Sequence, residues 1–331
     1  MILQRPTRYR WFGLGLAAVC VAIYFNNASW LAPEPHGTPR LLAHRGVHLD
    51  FDRKGLTASS CAASRIIPPF VNTLENTLDS MRAAFEHGAE LVELDIRSTT
   101  DREFAVFHDY TLDCATNGAG LTSDHDLAYL KRLDIGYGYT PDGGRTFPYR
   151  AKGVGLMPSL TEVVATFPDR KFLIHLKNGS DKEGALFAEH VQRHPGLREM
   201  TWAVYGGRQA VERAQMLVPG LRGYTYESIR SCGLPYMLFG WSGLVPGSCT
   251  DAILLIPADY AVWLWGWPNR FIARMGAARA ELILRAPSGR ERPEGIDTEL
   301  QLADVPHGFP GWIWTNRIQE LGPALRRRLQ D

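Results

Sequence analysis

The feature that most constrains this chain is an alternation, in which apolar runs of strand length are separated by longer stretches with helical periodicity. Eight runs read as strands, at 41–44, 91–96, 172–176, 202–205, 221–224, 253–256, 282–284 and 312–314. Neighbouring parallel strands need a crossover of about a dozen residues or more, and every gap can hold a helix. The stretch 77–87 is one such helix, with Asn76 expected as its cap, Leu78, Met81 and Phe85 as its apolar stripe and Gly88 as its stop. Eight strand–helix units predict an α/β fold, a closed (β/α)₈ TIM barrel over 38–331 with its chemistry at the C-terminal strand ends. At 331 residues, 45% of them hydrophobic, the chain can fill such a core. A formal net charge of +1 and the lack of a basic stripe argue against a nucleic-acid partner. No protein partner is inferable.

The N-terminus stands apart from the barrel. Arg5, Arg8 and Arg10 form a basic tail at 1–10, and an uncharged apolar run from Trp11 to Phe25 lies within the segment 11–31. This is expected to be a transmembrane or signal-anchor helix, with a cleavable signal as the alternative. Positive charge ahead of the run would keep the N-terminus cytoplasmic and place the barrel on the periplasmic or extracellular side of the membrane. Four cysteines lie beyond it, Cys61, Cys114, Cys232 and Cys249, which allows two disulfides. Of the three connectivities, Cys61–Cys114 with Cys232–Cys249 is the one expected, against four buried thiols. The aromatic run Trp263, Trp265 and Trp267, followed by Phe271, is expected to pack a loop, with a seat at a lipid interface as the alternative.

One stretch breaks the alternation. Residues 104–107 also read as a strand, but only a short polar turn separates them from 91–96, so they must return as a hairpin. A turn centred between Thr100 and Asp101 would place Glu93 opposite His108 and Asp95 opposite Val106. Glu93, Asp95 and His108 would then share one face. His44 ends the first strand before Arg45 and Gly46, and Glu75 precedes the first helix. His44, Arg45, Glu75, Glu93, Asp95 and His108 thus gather at the catalytic end of the expected barrel.

These residues resemble the glycerophosphodiester phosphodiesterase family. The matching pieces are His44-Arg45-Gly46, Glu75-Asn76-Thr77, Gly88-Ala89-Glu90 leading to Glu93-Leu94-Asp95, Thr100-Asp101, His108-Asp109 and His175-Leu176-Lys177. The likeness weakly resumes at Trp314-Thr315-Asn316. It implies a hydrolase that releases glycerol 3-phosphate and an alcohol from a small-molecule glycerophosphodiester. His44 and His108 would be its catalytic pair, Glu93 and Asp95 its metal ligands, and Arg45, Lys177 and Glu75 its substrate-binding groups. Two departures stand out. Where the family usually places a third acidic ligand, this chain has His175, and where it carries a Trp-Thr-Val-Asn signature, this chain has Leu284-Arg285-Ala286-Pro287.

The chemistry needs such groups. A divalent cation offsets the charge of a phosphodiester anion, guanidinium and ammonium groups bind its oxygens, and imidazoles move protons near neutral pH. One divalent metal ion is expected, magnesium or calcium by resemblance. His175 shares the strand face of Lys177, and as a third ligand it would favour manganese, iron or zinc. Alternatively, His175 only hydrogen-bonds a carboxylate ligand. Other functional readings are a phospholipase D-type enzyme acting on intact phospholipids and a non-catalytic headgroup-binding barrel.

Overall fold

The computed structural model describes residues 7–57, 60–289 and 294–330. Its strands are β1 (Arg40–His44), β2 (Leu91–Ser98), β3 (Phe104–Val106), β4 (Lys171–Leu176), β5 (Thr201–Gly206), β6 (Gly223–Tyr224), β7 (Ile253–Pro257), β8 (Glu281–Arg285) and β9 (Trp312–Thr315). The helices are α1 (Thr7–Asn27), α2 (Leu78–Glu86), α3 (Leu127–Leu130), α4 (Leu160–Thr166), α5 (Asp181–Arg193) and α6 (Pro195–Met200). They continue with α7 (Arg208–Leu217), α8 (Tyr226–Phe239), α9 (Ala258–Ala261), α10 (Asn269–Ala277), α11 (Glu299–Ala303) and α12 (Ile318–Arg328). All strands but β3 are parallel and run in the order β6-β5-β4-β2-β1-β9-β8-β7. The end strands β6 and β7 lie against each other, so this is a nearly closed eight-stranded barrel. The fifth expected strand, 221–224, is reduced to the two residues of β6.

Side-chain alternation sorts the apolar residues into layers. Leu42, Leu91, Leu173, Ala203, Ile283, Trp312 and Trp314 fill the barrel interior. Their neighbours, among them Val92, Leu94, Ile174, Leu282 and Leu284, face the surrounding helices. Each large side chain fully buried this way contributes about 1.5–3 kcal/mol. Helix α2 buries Met81, Ala84 and Phe85, and the Phe85 ring meets those of Phe172 and Phe167 at 5.5 and 5.7 Å. Its cap is Thr77 rather than Asn76, because the Thr77 hydroxyl accepts from Ser80 N at 3.2 Å while Thr77 N donates back to the Ser80 hydroxyl.

The long connections after β1 and after β3 fold onto each other. Leu49, Ile66, Phe107, Leu112, Leu133, Tyr149 and Met157 form a second, smaller core beside the barrel. A disulfide between Cys61 and Cys114 ties the two connections together, and buried Asp134 holds the second by accepting from Gly136 N, Ala151 N and Gly153 N. A second disulfide, Cys232–Cys249, ties α8 to the turn before β7.

One expectation is corrected here. The hairpin register is shifted by one residue: Ile96 pairs with Val106, Arg97 with Ala105 and Ser98 with Phe104. The turn is centred on Asp101, with Thr99 N donating to Glu103 O at 3.0 Å and Arg102 in the left-handed region at φ 62°. In the observed register His108 would face away from Asp95, but the strand ends at Val106 and the chain departs from the ladder. Arg97 then fixes the departing chain by donating to His108 O from Nη2 at 2.9 Å.

Helix α1 forms, yet among the described residues no helix is long and apolar enough to cross a membrane. Its apolar run, Trp11 to Phe25, lies between Arg10 and Asn26 and spans roughly 22 Å as a helix, short of a bilayer core of about 30 Å. Much of that run is exposed, and its C-terminal end docks on the barrel side. There Asn27 Nδ2 donates to Trp241 O at 2.7 Å and Arg274 Nη1 donates to Asn27 Oδ1 at 2.9 Å.

Candidate active site

Strand register brings the polar groups together. His44 lies level with Glu93 across β1 and β2, and Asp95, His175 and Tyr205 lie level across β2, β4 and β5. The chain leaves β1 through two left-handed residues, Arg45 at φ 57° and Gly46 at φ 81°. A side chain at Gly46 would meet the Ser80 hydroxyl at 2.6 Å, so the close approach of α2 requires glycine there. This bend brings Arg45 N to Glu93 Oε2 at 3.2 Å and Arg45 Nε to Asp95 Oδ2 at 3.1 Å.

Both carboxylates are buried, and each is surrounded. Glu93 Oε1 accepts from the Tyr205 hydroxyl at 2.6 Å. Asp95 Oδ1 faces His175 Nδ1 at 2.9 Å and Lys177 Nζ at 3.5 Å, while its Oδ2 accepts from Asn76 Nδ2 at 3.0 Å. Asn76 also accepts from Asp95 N at 3.2 Å, which accounts for its left-handed backbone at φ 59°. Burial raises the Glu93 carboxyl to about 8, helped by the charge of Asp95. Burial acts on Asp95 too, but Lys177, His108 and Arg45 outweigh it and hold that carboxyl well below its usual range.

The histidines are held by different partners. His44 Nδ1 lies 2.7 Å from Asn316 Oδ1, and Asn316 donates to Asp297 from its side chain at 2.9 Å and its backbone at 2.7 Å. With the amide nitrogen turned to an acceptor, the Asn316 oxygen faces His44, so His44 carries its proton on Nδ1 and presents a free Nε2. His108 Nδ1 lies 2.8 Å from Asp109 Oδ1, which fixes its ring in the same sense. Burial, then the charge of Arg45, lowers both imidazoles and favours their neutral forms. Burial likewise lowers His175 to about 4, against the opposing pull of Asp95.

A cavity of roughly 440 Å³ is lined by His44, Arg45, Asp95, His108, His175 and Lys177, with Glu93 directly beneath. Its far wall is built from Arg53, Tyr224, Leu255, Arg285 and Trp314. Glu75, expected to contact substrate, lies behind Arg45 instead, accepting from Nη1 at 2.7 Å, and does not line this cavity. Glu93, Asp95 and His175 each offer one ligand atom within 4.8 Å of the others. Two buried carboxylates and a neutral imidazole this close suit a divalent cation, whose charge would also relieve the unfavourable burial of Glu93.

Sequence reasoning gave no role to Tyr205, Asp109, Asp297 or Asn316, nor to Asn76 beyond capping. Tyr205 ends an expected strand with the inward parity of His175, and that parity was the available signal. Asp297 lies in a connection outside any strand and offered none.

Residues 44–203 match the model of the glycerophosphoryl diester phosphodiesterase family. A glycerophosphodiester phosphodiesterase of Bacillus subtilis (strain 168) is 38% identical over 133 residues, which span 39% of this chain and 42% of that protein. The match therefore covers less than half of that relative's length. Among solved structures, the glycerophosphoryl diester phosphodiesterase domain of a Mycobacterium tuberculosis protein superposes with a TM-score of 0.62 at 15% identity, covering 88% of this chain and 99% of that domain. An Oleispira antarctica phosphodiesterase, solved with the product sn-glycerol-3-phosphate, superposes with a TM-score of 0.54 at 19% identity, over 87% of this chain and 97% of that one. At these identities the superpositions speak for the shared fold.

Proposed function

Since this chain belongs to the glycerophosphoryl diester phosphodiesterase family, we propose that it is a metal-dependent hydrolase that cleaves glycerophosphodiesters to glycerol 3-phosphate and an alcohol. The observation that carries this reading is the convergence of Glu93, Asp95 and His175 on one point beside two imidazoles in one cavity. Glu93, Asp95 and His175 would hold the ion, which when bound supplies positive charge against the phosphate oxygens. Arg45, kept in place by Glu75, and Lys177 bind those oxygens. His44 and His108 act as the acid–base pair: one, neutral with a free Nε2, accepts a proton from the attacking hydroxyl, while the other must enter as the imidazolium, a form that the bound phosphate anion favours, and protonates the departing alkoxide from Nε2. Because His175 lowers the negative charge of the ligand set by one relative to a third carboxylate, manganese, iron or zinc is the fitting metal.

The same reading covers location. The barrel acts outside the cytoplasm, associated with the membrane through α1, and the two disulfides support an oxidising compartment. The deciding assay measures turnover of the purified protein on a panel of glycerophosphodiesters, after metal removal and readdition of magnesium, calcium, manganese or zinc. Release of glycerol 3-phosphate restored by metal is the expected result; no turnover with any metal and substrate overturns the reading. A reporter that works only outside the cytoplasm, fused after Asp331, should be active, and activity only from a cytoplasmic reporter would overturn the location.

A further inference from the structure

The far wall of the cavity carries groups that the hydrolytic reading leaves unused. Strand β8 alternates Glu281, Ile283 and Arg285 inward with Leu282 and Leu284 outward, so Arg285 is the inward residue at its catalytic end. Among the described residues the Arg285 side chain makes no hydrogen bond or ion pair, and its Nε is buried without a partner. Two neighbours on that wall share this condition. The hydroxyl of Tyr224 and the indole Nε1 of Trp314 are buried and unpartnered, and each residue is only 4% exposed. Half-buried Arg53 adds a second guanidinium, stacked 4.3 Å over the Phe51 ring and, among the described residues, without a carboxylate in ion-pair range.

The chemistry of these groups is one-sided. Guanidinium and indole nitrogens can only donate, and a tyrosine hydroxyl does so readily, so the matching ligand is rich in acceptors. Burying unmatched donors is unfavourable, and a ligand that reached them would recover that cost. The carboxylate of Glu294 also lines the cavity, but it lies outside ion-pair distance of both Arg285 and Arg53. Across the cavity, by contrast, Arg45 is paired with Glu75 and Asp95, and Lys177 with Asp95. A simple phosphodiester carries one negative charge, and Arg45, Lys177 and the metal site already meet it. The spare guanidiniums therefore lack a second anion, and since the glycerol arm is uncharged, that anion belongs on the alcohol.

We propose that Arg285, with Tyr224, Trp314 and Arg53, forms an anion-recognition subsite selecting glycerophosphodiesters whose alcohol carries a further phosphate group. The proposal rests on the hydrolytic reading and adds the class of alcohol. In the test, kcat/KM is measured for glycerophosphoinositol phosphate, glycerophosphoglycerol and glycerophosphocholine with the wild type, Arg285→Gln and Arg285→Lys. The wild type should prefer the phosphorylated substrate. Arg285→Gln should cut the ratio of phosphorylated to uncharged substrate by about 10–100-fold, the range expected for losing a charge-assisted contact, and Arg285→Lys should retain part of it. An equal loss on all three substrates, or a wild type without the preference, overturns the proposal. Calorimetric binding of inositol bisphosphate to wild type and Arg285→Gln separates the two claims. Arg285-dependent binding without turnover of any diester would sink the hydrolytic reading and keep the subsite, and Arg285-independent binding or none would sink the subsite.

Discussion

At the mouth of the barrel, several polar groups of the two halves are kept in opposite states. From β1 to β5, Glu93, Asp95, His175 and Lys177 are paired within the protein, and Tyr205 and Asn76 are committed to holding the carboxylates. His48 and Arg45 are exceptions: neither ring nitrogen of His48 is hydrogen-bonded, and Arg45 Nε, though within ion-pair distance of Asp95, makes no hydrogen bond. From β6 to β9, Tyr224, Arg285 and Trp314 line the same cavity, each with a buried donor that has no partner among the described residues. Groups that must act at a fixed place gain from being held in advance, whereas groups that recognise a ligand must stay open for it. On the readings proposed above, the contrast would separate a half that reacts from a half that selects, and the family match covers residues 44–203.

The contrast can be tested by breaking the reacting half first. Replacing His44 or His108 by Ala should reduce turnover about 10²–10⁴-fold on every substrate while the circular dichroism spectrum stays native. Near wild-type rates in both variants would remove the acid–base assignment.

A smaller effect should come from a link that joins the halves. Asn316→Ala frees the imidazole of His44 without touching the substrate, and a loss of about 10–100-fold in kcat is expected, the scale seen when an orienting partner is removed. Combined with His44→Ala it should cost nothing further, because the two act as a unit. Additive losses would mean that Asn316 works elsewhere.

Metal preference sharpens the comparison from another side. His175→Glu restores a third carboxylate and should shift the activation ratio of calcium over manganese upward by about tenfold. An unchanged ratio would show His175 to be only a hydrogen-bond partner of Asp95.

The least effect on turnover is expected from the disulfides. Replacing both Cys61 and Cys114 by Ser opens a 53-residue separation, and replacing Cys232 and Cys249 opens one of 17. Chain entropy puts their contributions at about 4 and about 3 kcal/mol, read as a lowered denaturant midpoint with turnover at low temperature largely kept. If the second pair lowers kcat/KM as strongly as the midpoint, the selecting half depends on it for more than stability.

Much of this was legible in the residues. The barrel follows from apolar periodicity, which depends on local pattern and survives without knowledge of neighbours. His44, Glu93, Asp95 and His175 line up because strand parity is local as well. The hairpin register was misjudged by one residue because it depends on Arg102 adopting φ 62°, a choice that propensity does not reveal for arginine. The cap moved from Asn76 to Thr77 because Asn76 is drawn to Asp95, a tertiary bond that outcompetes a local one. The reach of Asn316 to His44, 272 positions away, depends on β9 closing beside β1, which no local pattern encodes.

That last contact also bears on the order in which the protein comes alive. A chain that had folded only through β5 would already hold both carboxylates, His175 and His108, yet the first imidazole would be free to carry its proton on either nitrogen. Only when β9, the last strand of the barrel to be made, zips against β1 does Asn316 settle that choice. On the hydrolytic reading, competence is thus a late property of assembly, and recovery of activity during refolding should lag recovery of secondary structure, reporting in effect that the ring has shut.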